Sequence, residues 1–339
     1  MNSTSLTHDH LSLLFPIALD LFRRPSPSGQ EELVRAYVLE HLEQHAFNVS
    51  VDAAGNVLAV RGRPDPQNDY PLLSFHMDCV SLEKPLSAGH PELPRSSRVA
   101  SLFSFSRSPA SSHATRRNET PLSLRPLDAL EITQGWLHSR EAFVLGGDDK
   151  CGASIALTLA ATTAIPLKIL ASVEEERGCV GIEQVDPHFF DDVAYALVLD
   201  RRGANHLIVS IGEQVLCTGA FAAAMMRAAA TTGLLVYAAA GALSDALILS
   251  RYIHNVVNLS VGYYHPHTVE ERVSLADLWH SYQWVYEALH TLPCQSGASL
   301  RASSQAREDG MVCPRCQKLT IPPEQLSEDL WEFLCACPA

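Results

Sequence analysis

Two aspartates stand side by side in Val-Leu-Gly-Gly-Asp-Asp-Lys-Cys-Gly, residues 144–152, between a glycine pair and a run that reads as the start of a helix. Two such charges repel each other by about 1 kcal/mol in water and about 4 kcal/mol in a half-dry site. The arrangement calls for a cation nearby. The ends of the predicted strands supply partners of one chemical kind: LLSF runs into His76-Met77-Asp78, LKILASV into Glu174-Glu175-Glu176, AYALVL into Asp200, and VNLSVGYY into His265-Pro266-His267. In open α/β sheets, ligands bind in the crevice beyond the carboxyl ends of the strands. Histidines and carboxylates converging there form a metal-binding set. Any one of them alone is an ordinary surface or core residue; agreement at four strand ends is what points to metal. A carboxylate bridging two divalent cations is held by both, and two metals about 3.5–4 Å apart clamp the attacking and leaving oxygens of a displacement. Asp148 is the candidate bridge. Asp149 then points away or holds the turn, and Gly146 and Gly147 let the backbone approach closely.

The elements that must position these residues alternate along the chain. Apolar residues at helical spacing fill the N-terminal segment, which lacks a basic leader and carries Asp9 and Asp20, so a helix is expected there and not a signal peptide. Ser28 and Glu31 have capping-box spacing before a second helical run. Gly55-Asn56 marks a hairpin between two β-rich runs, followed by a buried strand ending at His76. After residue 150 come a helix over ASIALTLAATTA, strands LKILASV, AYALVLD and GLLVYAAA, a helix from Ser244, a strand over NVVNLSVGYY, and a last helix over 271–291. Strands separated by helices predict an α/β fold of three layers, helix/sheet/helix, around a mixed, mostly parallel sheet.

Composition narrows the partners. With 47% apolar residues, the 339-residue chain has ample material for a core, and its net charge of −13 does not suit a nucleic-acid surface. No apolar run reaches membrane-spanning length. Nine cysteines, mostly scattered, suit a reducing cytoplasm better than a disulfide framework. Residues 84–127, with six Arg and one Lys against two Glu among many Ser and Pro, form a low-complexity insertion. Residues 293–312 are a linker to a tail, 313–339, in which Cys313, Cys316, Cys335 and Cys337 have zinc-ribbon character. The single residue between the last two makes the second knuckle irregular, and four unpaired thiols or a redox pair are the other readings.

PSPSGQEELV, DAAGNVLAV, SFHMDCV, VLGGDDKCG, EEERGCVG, LVLD and GYYHPHTVEE, in this order over residues 10 to about 290, resemble the co-catalytic dizinc exopeptidases: peptidase T, glutamate carboxypeptidase and the tetrahedral aminopeptidases. The resemblance implies a catalytic domain over 1–292. It implies that His76, Asp148 and Asp200 hold one zinc and Asp148, Glu176 and His267 the other, with the Asp148–Asp149 peptide often cis. It further implies that Asp78 orients His76 and that Glu175 is the general base, since Gly178 and Gly181 fit the family's Glu-Glu-x-Gly-x-x-Gly spacing. His267 is preferred to His265 as ligand because it precedes Thr268 and a nearby Glu, which leaves His265 structural or near the substrate. GALSDA resembles a family Gly-Gly-Thr-Asp segment, so Asp245 is a candidate to grip substrate; otherwise Ser244 and Asp245 cap a helix. Only 67 positions separate Asp200 from His267, too few for the lid many relatives insert there, and the 72 between His76 and Asp148 are largely low-complexity, so the lid is expected to be absent or reduced.

The function expected from this resemblance is metal-dependent exopeptidase, foremost an aminopeptidase, with two divalent cations: zinc, or cobalt or manganese in its place. A further structural zinc would sit in the tail. The same core serves N-acyl-amino-acid amidohydrolases and carboxypeptidases in the family, and a non-catalytic zinc-binding scaffold is the reading from another class. The expected partner is a peptide or acyl-amino-acid substrate, with neither nucleic acid nor membrane, and a homo-oligomer is open.

Overall fold

The computed structural model describes residues 8–66, 68–80, 123–141 and 143–294. Most of the expected insertion, the linker beyond residue 294 and the tail with its four cysteines lie outside the described residues. In chain order the elements are α1 (His8–Phe22), α2 (Glu32–Gln44), β1 (Asn48–Val51), β2 (Val57–Arg61), β3 (Tyr70–His76), β4 (Leu130–Thr133), β5 (Trp136–Ser139), α3 (Gly147–Thr162), β6 (Leu167–Ser172), β7 (Val193–Arg201), β8 (His206–Ile211), β9 (Gln214–Val215), α4 (Gly219–Thr231), β10 (Tyr237–Gly241), α5 (Asp245–Leu249), β11 (Val256–Ser260), β12 (Tyr263–Tyr264), β13 (Arg272–Ser274) and α6 (Leu275–Thr291).

The main sheet has nine strands, ordered β1-β2-β6-β3-β7-β11-β8-β10 with β9 beside β8. Its centre, β6-β3-β7-β11, is parallel, while β1, β2 and β8 run antiparallel to their inner neighbours. All residues of β3 and β6 are buried, as their near-continuous apolar sequences require of strands covered on both faces. Alternation sorts their side chains: Leu73, Phe75, Ile169, Ala171, Leu197 and Leu199 pack with α1, α2, α3, α4 and α6, and Leu72, Leu170, Ala196 and Val198 pack on the other face. That second layer is thin, built from α5 and short 3-10 turns at Ile182–Gln184 and Pro187–Phe190. Every residue of α3 from Gly147 to Ala160 is buried, which places this helix inside the molecule, against β3 and β7.

Several local expectations change. Ser28 and Glu31 form no capping box: α2 begins at Glu32 with no side-chain cap, because Ser28 donates to Asp78 and Glu31 accepts from the backbone of Gly29. The helix from Ser244 is only five residues, and Ser244 does not cap it. The predicted strand at 233–240 begins at Tyr237, and the strand through NVVNLSVGYY breaks at Gly262, whose φ of 94° ends β11 before β12. The alanine-rich α4 and the β8–β9 hairpin escape the periodicity reading, as does a second, four-stranded sheet, β12-β13-β5-β4. Among the described residues, the stretch between β3 and α3 contributes a 3-10 turn at Leu127–Ala129 and the strands β4 and β5, and the strands and helices between Asp200 and β12 belong to the main sheet and its covering helices. Residues 81–122, where a lid could be inserted ahead of Asp148, lie outside the described residues. Among the described residues no helix is long and apolar enough to cross a membrane.

Gly152 sits where α3 presses hardest on the sheet. A Cβ there would stand 2.0 Å from the Leu199 carbonyl oxygen and 2.5 Å from Asp149 Oδ1. Gly152→Ala should therefore show an overpacking cost of about 1–3 kcal/mol, read as a fall of several degrees in Tm at ~2–4 °C per kcal/mol for a chain of this size. An unchanged melting temperature would mean that α3 is free to move off β7.

Candidate metal centre

Parallel register brings the first two candidates together. Ser74 pairs with Val198, so two residues further along the parallel strands His76 and Asp200 lie side by side, with Nε2 and Oδ1 3.6 Å apart. The Asp200 backbone is fixed by Asn258 of β11, whose side-chain amide accepts from Asp200 N–H and donates to its carbonyl. Asp148 comes from the loop entering α3, where Gly146 has a φ of 77° and the Asp148–Asp149 peptide is cis. The chain is not yet helical at either aspartate. Buried Asp149 holds the turn: its carboxylate accepts from the backbone N–H of His76 and Gly152. Buried Glu271 holds it from the other side, accepting from Gly146 N–H at 2.6 Å and Asp148 N–H at 3.1 Å.

The glutamates follow β6. Glu174 takes a φ of 52°, and the next residues form a 3-10 turn, Glu175–Arg177. Asp78 anchors that turn, because its carboxylate accepts from the backbone N–H of Glu175 at 3.0 Å and of Glu176 at 3.2 Å, and from the Ser28 hydroxyl at 2.6 Å. Glu174 turns outward to pair with Arg177.

A proton argument shows what the cluster lacks. His76 Nδ1 lies 3.0 Å from the carbonyl oxygen of Asp78, a pure acceptor, so Nδ1 is the donor and the neutral ring directs its Nε2 lone pair at Asp148 Oδ1, 3.1 Å away, and at Asp200. His267 Nε2 likewise faces Asp148 Oδ2 at 3.2 Å and Glu176 Oε1 at 2.8 Å. That Glu176 oxygen is shut off from water, and the His267 nitrogen beside it makes no aligned hydrogen bond to it. Lone pairs facing lone pairs repel unless a positive charge lies between them. In the metal-free protein, protons supply it. Burial would lower the His76 pKa, yet hydrogen bonds with Asp148, Asp200 and Asp78 hold it well above its ordinary value. The contacts with Asp148 and Glu176 raise that of His267 to about 10. Burial pushes Asp148 up, but His267 and His76 outweigh it and hold its carboxyl below the usual range. Burial and the Asp148 charge push Asp200 well up.

Ligand atoms of His76, Asp148 and Asp200 lie within 4.8 Å of one another, as do those of Asp148, Glu176 and His267. The two sets share Asp148, and imidazole nitrogen with carboxylate oxygen is a donor mixture that suits zinc and its neighbours. Glu175 lies beside both sets, raised to about 7 mainly by burial, with Oε1 accepting weakly from the Cys179 thiol. Asp245 is buried on the far side of Glu175, accepting from Ser172 through one oxygen while the other has no partner, and burial raises it to about 6. It does not line the pocket at the cluster, and so is placed behind the site. His265 is exposed and belongs to neither donor set. Sequence reasoning missed Ser28, Glu271 and Tyr263, whose hydroxyl donates to Asp200. For Glu271 the only signal was the acidic pair in HTVEE.

No protein-family model matches the sequence, and no curated protein matches it. Solved structures do. An aminopeptidase PepT from Bacillus cereus superposes with a TM-score of 0.61 at 14% identity, over 82% of this chain and 98% of the other. A tripeptidase from Staphylococcus aureus gives 0.60 at 14%, over 82% and 97%. The TET1 peptidase of Pyrococcus horikoshii, which can assemble into a tetrahedron or a large octahedral shell, gives 0.59 at 14%, over 82% and 100%. The chain has the α/β fold that these peptidases share.

Because both histidines must shed protons before they ligate, cation binding should strengthen as pH rises. The sign follows from the raised values: without a cation, the His267 contacts contribute stability that is fully present below about pH 6.5 and is lost as pH climbs through about 10. The rise in Tm on adding zinc to chelator-treated protein should therefore be larger at pH 8.5 than at pH 6, with protons released on binding. A zinc-induced shift that does not vary with pH would remove the histidines from the site.

Proposed function

We propose that this protein is a metal-dependent exopeptidase, foremost an aminopeptidase, in which His76, Asp148 and Asp200 hold one divalent cation and Asp148, Glu176 and His267 a second. The observation that carries this reading is the pair of three-residue donor sets sharing one carboxylate, with a second, unligated carboxyl, Glu175, beside them. When bound, such a pair of cations supplies Lewis acidity to the scissile carbonyl and to the attacking water. The protein supplies the rest. Burial raises the Glu175 carboxyl above the ordinary carboxylate range, the direction that favours taking a proton from water and returning it to the leaving amine. Asp78 keeps the base and the Glu176 ligand in fixed relation by holding both of their backbone N–H groups. His76 is oriented through the Asp78 carbonyl, which fixes the tautomer a ligand needs.

The fold and the two donor sets would also serve cleavage of N-acyl amino acids or of C-terminal residues. Free and N-acetylated dipeptides offered to zinc- or cobalt-loaded protein separate these. Cleavage of free N-termini alone is the expected outcome, cleavage of capped substrates alone would make the protein an amidohydrolase, and no cleavage of any would leave a zinc-binding scaffold.

The three adjacent glutamates make a sharper test. Glu175→Gln should fold and bind two metals per chain yet lose turnover by on the order of 10²- to 10⁴-fold. Glu176→Gln should lose one metal along with activity. Glu174, paired with Arg177 at the surface, should tolerate Gln within a few-fold. A dead but fully metallated Glu174→Gln protein would move the base and ligand assignments by one residue.

A further inference from the structure

The pocket at the cluster extends past it. Its cavity of ≈ 390 Å³, at the small-ligand end of the usual range, is lined by Asp148, Glu175, Glu176 and Asp200 and also by Arg201 and Arg202. The two arginines follow the candidate ligand Asp200 directly, at the end of β7. Neither is explained by the fold. Arg201 Nε is buried with no hydrogen-bond partner. Among the described residues no carboxylate forms an ion pair with either guanidinium. The neighbouring His206 repeats the pattern: its Nδ1 is buried without a partner, and after burial itself the Arg201 and Arg202 charges lower its pKa. Two arginines thus line one cavity of an acidic protein, one of them with a buried Nε unpaired, and their charges disfavour protonation of His206 nearby. A buried donor left unpaired is costly, and an arginine fork matches a carboxylate in two parallel hydrogen bonds.

We propose that Arg201 and Arg202 bind a carboxylate of the substrate, so that the substrates are short peptides bearing a free carboxylate, at the C-terminus or on an acidic side chain, that falls within this small pocket. The assignment rests on the exopeptidase reading for its reaction, though not for its binding. Leu243 and Ile208 line the same cavity and offer apolar contact to the peptide.

Two peptide pairs test this: Ala-Ala against its C-terminal amide, and Glu-Ala-amide against Gln-Ala-amide. Binding is measured by calorimetry to metal-loaded Glu175→Gln protein, so that turnover is not needed. The carboxylate member of one pair should bind on the order of 10- to 100-fold more tightly than its neutral partner, the range for a charged hydrogen bond. Discrimination in the first pair assigns the C-terminal carboxylate, and in the second the side chain. Arg201→Gln should bring the ratio toward one. Arg202→Gln, at an exposed position where folding is safe, should reduce it as well, and Arg201→Lys should restore it in part. Equal binding within both pairs, or discrimination that survives both glutamine substitutions, overturns the proposal. If wild-type protein hydrolyses none of the four peptides while the arginine-dependent ratio persists, the exopeptidase reading fails and the carboxylate site stands.

Discussion

Negative charge concentrated at the carboxyl ends of β3, β6 and β7 is the constraint around which this molecule is built. Asp148, Asp200, Glu175 and Glu176 meet there with little water between them, and carboxylates so placed are stable only with positive charge among them. Protons on two histidines meet that need in the metal-free protein, and two divalent cations would meet it with better geometry. The pKa values record the competition: Asp148 is held down by its two imidazoles, and Asp200, facing Asp148 with less compensation, is pushed up.

Holding such a cluster in shape falls to other acids that accept backbone N–H groups. Asp78 fixes the turn carrying both glutamates, Asp149 ties the entry of α3 to β3, and Glu271 grips the same loop from beyond β12. Each is buried, and each acts on backbone, which moves less than a side chain. Backbone anchoring of this kind suits a centre that must keep its geometry while charge is redistributed. The packing of α3 against β7 at Gly152 belongs to the same design, since the N–H that Asp149 accepts is Gly152's own.

The pocket is lined by both signs of charge, the carboxylates of the cluster and the arginines at the tip of β7, together with Leu243 and Ile208. A peptide carries both signs as well. Both signs arise from consecutive residues, Asp200 and then Arg201 and Arg202, so one strand terminus would serve reaction and recognition together.

Much of this was legible in the sequence because strand ends and metal donors are local features. Buried apolar runs marked β3, β6 and β7, the rule that ligands gather at carboxyl ends brought out His76, the run Glu174–Glu176, Asp200 and the pair His265 and His267, the family resemblance chose Glu175, Glu176 and His267 among them, and the charge conflict at Asp148 and Asp149 pointed to a cation. Local pattern failed where a residue's partner is distant. Ser28 and Glu31 carry a capping signature, yet Ser28 is drawn to Asp78, 50 positions away. Glu271 reaches Gly146 across 125 positions, and no periodicity announces it. β13 pairs with β5 across a gap that no turn signal spans. Residue types and their order determined which chemistry the chain can carry. Tertiary structure alone decided which buried acids converge with the histidines and which hold backbone, because identical carboxylates differ only in the donors that folding brings to them.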